Sequence, residues 1–224
     1  MAQPQLVTFA DAGFDLIPES EWGDYDDNNG VRHLSDHFQM DQDGVGSCAS
    51  ESAVGCLMVV RQMQGLEQIK FNPWSLYQQV TSWDNGSSLS DNIRKISEVG
   101  VLSMETFPRT RWNADPPRGW HDEAKRYRLS EWWQITSLEE FVTALILRFP
   151  VYYGRSGHAI FAVENVFNRR GVIYKNSWSA DWGDEGYGFD SYRSFQRQIG
   201  NYGAYVPRVA IVPTEGGDDG GSAA

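Results

Sequence analysis

The stretch GHAIFAVENVFNRRGVIYKNSW, residues 157–178, holds two runs rich in β-branched and aromatic residues. Runs of that kind read as strands, over 151–166 and 171–178, and the parts around 158–164 and 170–176 are read as a hairpin. With a hairpin centred on Phe167, residues whose numbers sum to 334 stand opposite one another. Ile160 then faces Tyr174, Ala162 faces Val172, and His158 faces Asn176. Opposed residues share a face with Cβ atoms about 5 Å apart. An imidazole beside a carboxamide is the arrangement that orients a base: the amide oxygen accepts from one ring nitrogen and leaves the other facing a nucleophile. A histidine opposite an asparagine is more often structural, so the reading depends on a nucleophile elsewhere in the chain.

Working upstream, the pattern changes from strands to helices. Small and apolar residues at helical spacing (Ala49, Ala53, Cys56, Leu57, Val60 and Met63) predict a helix from Ser47 to about Gln64, stopped by Gly65. Further helices are expected after Asn72-Pro73, over Asp91–Val99 with Ser90 as cap, and over Leu138–Leu147 with Ser137 as cap. Residues 16–22 (LIPESEW) read as extended, 23–30 as a loop, and 108–121 as a proline-rich connector. Helices first and strands afterwards give an α+β fold with a helical half and a sheet half.

Cys48 lies in QDGVGSCAS, residues 42–50, where Gly44 and Gly46 let the chain turn just before the helix begins. A thiol in a first helical turn meets unpaired N–H groups and the positive end of the macrodipole, and both favour thiolate. Cys56 sits in the helix interior and reads as a small buried hydrophobe. Eight residues apart on one helix, the two Cα atoms would be about 12 Å apart, beyond the roughly 7 Å a disulfide spans. Two free thiols are expected.

Composition narrows the class. The chain has 224 residues, 41% apolar and 22% charged, which suits one soluble globular unit. No apolar run approaches the roughly 18 residues of a membrane span, and Met1–Ala10 shows no signal peptide. A net charge of −11 argues against a nucleic-acid partner. The four histidines and two cysteines show no zinc-ligand spacing, so neither metal nor cofactor is expected. His33, His37 and His121 read as surface or structural residues, and Asp41 and Asp43 as solvated loop charges.

Taken together, these boxes resemble the papain-like cysteine peptidases, and the bacterial and bacteriophage members most. QDGVGSCAS is similar to that family's Q-G-x-C-G-S-C-W box, GHAIFAV (157–163) to its histidine strand, and KNSWSADWGDEGYG (175–188) to its K-N-S-W-G-x-x-W-G-x-x-G-Y run. IPESEW (17–22) resembles the mature N-terminal IPxxxDW, and NGSSLSDNIRKISEVGV (85–101) has counterparts. The resemblance implies a two-lobed fold, with a helical left lobe over about 36–110 and an antiparallel β-barrel-like right lobe over about 16–30 and 125–213. The cleft between them would hold the active site; 1–15 would be an extension and 214–224 a disordered acidic tail. It implies Cys48 as the attacking thiolate, His158 as its imidazolium partner, Asn176 as the residue that fixes the ring, and Gln42 with the Cys48 N–H as oxyanion hole. Trp178 would shield the His–Asn bond; Trp182, Ser47 and Gly46 would be supporting residues, with Gly183, Gly186 and Tyr187 as scaffold.

There are departures. Val45 replaces a disulfide cysteine, Ser179 replaces a glycine, and Ala49 replaces an aromatic residue, which should reshape the wall beside the thiol. Cys48 and His158 are 110 residues apart, against roughly 130–150 in papain-type enzymes, which implies trimmed loops. About sixteen residues precede the mature-like start, fewer than an inhibitory prosegment uses. The expected substrate is a peptide or protein, in the cytoplasm or a virion. Two other readings use the same residues. One is a papain-fold structural or binding protein, such as a virion component tethered to a protein partner; the other is a thiol hydrolase acting on a cell-wall peptide or another amide.

Overall fold

The computed structural model describes residues 7–27 and 30–211, so the tail at 214–224 lies outside the described residues. After a 3-10 turn at Glu19–Asp24 come α1 (Arg32–Ser35), α2 (Cys48–Met63), α3 (Pro73–Val80), α4 (Leu89–Glu98) and α5 (Trp120–Ala124). The sheet half follows: β1 (Leu129–Gln134), α6 (Leu138–Ile146), β2 (Val151–Arg155), β3 (His158–Val166), β4 (Gly171–Lys175), β5 (Tyr187–Ser191), α7 (Tyr192–Tyr202) and β6 (Ala204–Ala210). The architecture is α+β, with one antiparallel sheet in the order β1-β6-β2-β3-β4-β5.

Capping chemistry sets the helix starts. Asn72 accepts from the Trp74 N–H and Pro73 takes the first helical position, where a missing N–H costs nothing. Ser137 and Glu140 form a reciprocal capping box at α6. At α4 the cap is Ser88 and not Ser90: its hydroxyl accepts from Asp91 N–H at 3.1 Å, which pulls Leu89 and Ser90 into the first turn. The extended reading of 16–22 holds only as far as Pro18, whose backbone is extended. Pro18 is followed by the 3-10 turn, which swings Trp22 inward to pack edge-on to Tyr192 at 5.4 Å.

β3 has both faces covered. Ala159, Phe161 and Val163 join the core beneath α2, whereas Ile160 and Ala162 join a second core with α6 and α7. That two-sided burial explains why its sequence is nearly continuously apolar. α2 is buried along most of its length and approaches β3 closely at Gly55, where a Cβ would lie 2.6 Å from the Phe161 ring. Of the stretch read as an extension, the described residues 7–15 reach into the second core: Phe9 is fully buried and stacks on Phe14 at 4.3 Å.

Two details of the strand pair differ from the sequence reading. Residues 151–166 are two strands, because Ser156 and Gly157 both take positive φ and make a tight hairpin that pairs Arg155 with His158. The β3–β4 register is also shifted, with Ala162 opposite Tyr174 and Asn165 opposite Val172. A 3-10 turn at Phe167–Arg169 and left-handed Arg170 lengthen the connection, and a bulge between Ala162 and Glu164 adds a further step. His158 is therefore not directly opposite Asn176. Continued outward, the pairing of Phe161 with Lys175 sets His158 level with Trp178, and Asn176 becomes a diagonal neighbour.

Candidate active site

The loop before α2 is drawn tight. Asp41 accepts from the Asp43 N–H at 2.9 Å, Asp43 and Gly44 take φ of 52° and 73°, and Val45 N–H donates to Gln42 O at 3.0 Å. Val45 packs with Trp74 and Tyr77, so apolar contact stands where the resemblance has a disulfide. Gly46 N–H donates to Asp84 Oδ1 at 2.6 Å; Tyr77 OH donates to the same atom at 3.1 Å and accepts from Gly86 N–H at 3.1 Å. Asp84 and Tyr77 thereby join the loop before Cys48 to the loop across the cleft. A Cβ on Gly46 would meet that junction at about 3 Å, so the position requires glycine.

Cys48 opens α2 and is partly exposed; Cys56 is buried, and both are free thiols as expected. Burial pushes the Cys48 thiol up, and Glu51 adds to this, while backbone N–H groups of Ala159, Ala49 and Cys48 itself pull it down. A cavity of about 580 Å³ holds Cys48 and His158 on its lining, together with Gly86, Ser88, Ala159 and Asn201. Ala49 is 1% exposed and is not on that lining.

His158 and Asn176 meet despite the altered register. His158 Nε2 donates to Asn176 Oδ1 at 2.7 Å, which leaves Nδ1 as the acceptor nitrogen. The same oxygen accepts the Ser177 N–H at 2.8 Å, and Asn176 N–H donates to Gly186 O at 2.9 Å. Trp178 stacks on the imidazole at 4.5 Å and Trp182 packs edge-on to Trp178 at 5.4 Å. Burial pushes the imidazole down, against the Asn176 hydrogen bond, with Arg155 adding to the lowering. Each group taken alone therefore favours its neutral form.

Gln42 is held at three points. Its Nε2 donates to Val45 O at 2.7 Å, its Oε1 accepts from Ser177 Oγ at 2.9 Å, and its N–H donates to Ser177 O at 2.9 Å. One N–H of the amide remains for another acceptor. Segment 40–42 thus runs along 177–179, coupling the Gln42 loop to the residues after Asn176. Sequence reasoning missed Ser177, Asp84 and Tyr77; the serine inside the KNSW run carried the only signal. Lys175 and Tyr187 are scaffold: the buried ammonium donates to Ser35 O at 2.8 Å and to Tyr187 OH at 3.1 Å, and burial lowers it to about 8. His33, His37 and His121 are exposed, as are Asp41 and Asp43. Among the described residues no three His, Cys, Asp or Glu side chains are grouped to hold a metal, and no helix is long and apolar enough to cross a membrane.

No family model and no curated protein matches the sequence. Solved structures do. Xylellain, a cysteine protease from Xylella fastidiosa, aligns over 96% of this chain and 94% of its own, with a TM-score of 0.72 at 15% identity. Digestive procathepsin L2 of the Tenebrio molitor larval midgut aligns over 90% of this chain and 72% of its own, with a TM-score of 0.69 at 16% identity. Digestive procathepsin L 3 from the same source gives 0.62 at 17% identity, over 76% of this chain and 66% of its own. The chain has the fold of the papain-like cysteine proteases.

Proposed function

We propose that the protein is a cysteine peptidase whose nucleophile is Cys48, with His158 as general base and acid. The reading rests on one observation above the rest: the 2.7 Å bond from His158 Nε2 to Asn176 leaves Nδ1 for the cavity that Cys48 also lines. Cys48 Sγ attacks the scissile carbonyl carbon while its proton passes to Nδ1 of His158. Gln42 Nε2–H and the Cys48 N–H hold the oxyanion. Collapse breaks the C–N bond, and His158 returns the proton to the leaving amine. Water, deprotonated by the same nitrogen, then cleaves the thioester and restores the thiol.

An isolated charge at either residue is opposed by burial. Moving one proton between them creates a pair with no net charge, which the three N–H groups at Cys48 and Asn176 at His158 both favour. This keeps the thiolate–imidazolium pair of the sequence reading, with the proton on His158 no later than attack. The test is a quenched-fluorescent peptide library with wild type and Cys48→Ala. Cleavage by the wild type alone supports the proposal. An uncut library, or equal cleavage by both proteins, sinks it.

A further inference from the structure

A second cavity, of about 350 Å³, shares no lining residue with the cleft. Met40, Val54, Met58, Phe71 and Met104 give it an apolar wall. Glu51 and Arg109 supply its charged end. Glu51 is 1% exposed, and its Oε1 stands 3.4 Å from Arg109 Nη2. Neither atom completes a hydrogen bond. A well-made guanidinium–carboxylate pair closes to about 2.8 Å, so both atoms keep a valence open. Arg109 is not free to swing away, because its guanidinium stacks on Trp74 at 4.1 Å. Lys70 and His37, both exposed, also border the cavity.

The charge balance selects the ligand. Burial holds Glu51 up to about 8, against the pull of Arg109 and of the Ser47 hydroxyl and with Asp41 adding to the rise, which favours its O–H form. Arg109 and Lys70 stand on the lining against the single carboxyl of Glu51, so the positive charge there is not fully offset even with Glu51 ionised. In a chain of net charge −11, this is a cationic point set against an apolar wall. A neutral apolar guest would leave Arg109 unpaired, and a cation would be repelled by it. An anion accepts from both Arg109 Nη2 and the Glu51 hydroxyl. We propose that this cavity binds a small organic acid, its carboxylate bridging Arg109 and Glu51 and its apolar body against Met58, Phe71 and Met104. The volume is at the low end for ligand pockets, which suits one small molecule. Met side chains adapt readily to different apolar bodies. The site stands apart from the proposed peptidase chemistry and does not depend on it.

Calorimetric titration of the full chain with 4-phenylbutyrate and with hexanoate at pH 6.5 tests this. Saturable one-to-one binding is expected, at least tenfold weaker in Arg109→Gln and at least tenfold weaker for 4-phenylbutanol, which lacks the charge. Met58→Trp should block the cavity and abolish binding; it carries the test if Arg109→Gln fails to fold. Prior alkylation of Cys48 should change nothing. The proposal is overturned by absence of saturable binding to either acid, by equal binding of acid and alcohol, or by loss of binding after Cys48 alkylation, which would place the ligand in the cleft.

Discussion

Cys48 and Glu51 stand one turn apart on α2, and burial raises both above their usual values. Their surroundings differ in kind. The side chains proposed to act with Cys48 are already held: His158 by Asn176, Asn176 by Ser177, Gln42 by Val45 and Ser177. Around Glu51 the pairing is left incomplete, with Oε1 and Arg109 Nη2 apart at 3.4 Å. Donors that are fixed in advance need no reorganisation when charge develops, which is what a reacting centre requires. Donors and acceptors left unmatched at the end of an apolar cavity suit a ligand that completes them.

The contrast can be broken experimentally, and the largest effect should fall on the cleft. His158→Ala removes the proposed base and should lower kcat on the order of 10⁴-fold, measured on a cleaved peptide; a loss below tenfold would take His158 out of the chemistry. Gln42→Ala deletes one proposed oxyanion donor and should cost about 10²–10³ in kcat, with KM little changed. Retained turnover would mean that the amide serves only to pin Val45 and Ser177.

Glu51→Gln sharpens the other side through the pH dependence of stability. The folded carboxyl titrates at about 8 against 4.5 unperturbed. The sign follows from a raised value: its contribution is fully present below the unfolded pKa and is lost as pH rises through the folded one. Wild type should therefore lose about 2 kcal/mol relative to Glu51→Gln between pH 5 and pH 7, read from urea melts at each pH. Parallel curves would show that Glu51 ionises normally, next to Arg109. Smallest is the cap at the cleft rim: Ser88→Ala should destabilise by about 1 kcal/mol, whereas Ser90→Ala, inside the first turn, should be near neutral in the same melts.

Helix starts were legible because caps are local. Asn72-Pro73 and Ser137 with Glu140 announce α3 and α6 within a few residues, and Cys48 sits where the glycine-bearing loop gives way to α2. The His158–Asn176 association was legible as a pair but not as a register. Nothing local marks the bulge between Ala162 and Glu164 or the left-handed Arg170, and tertiary packing settles both. The same limit hid Asp84, whose bond to Gly46 spans 38 residues, and with it Tyr77, which holds Asp84. Nothing local in the sequence marks Glu51 as buried, at 1% exposure.

The central claim is that His158 activates Cys48, and cysteine-resolved alkylation tests it most directly. Wild type and His158→Ala are treated with a papain-class epoxide and with iodoacetamide, and labelling at Cys48 and Cys56 is followed by peptide mass spectrometry. The account predicts rapid epoxide labelling of Cys48 that collapses in His158→Ala, with Cys56, fully buried and pushed well above the usual thiol range, unlabelled in both. Equal Cys48 rates in the two proteins, or a rate no faster than that of a free thiol, would contradict it.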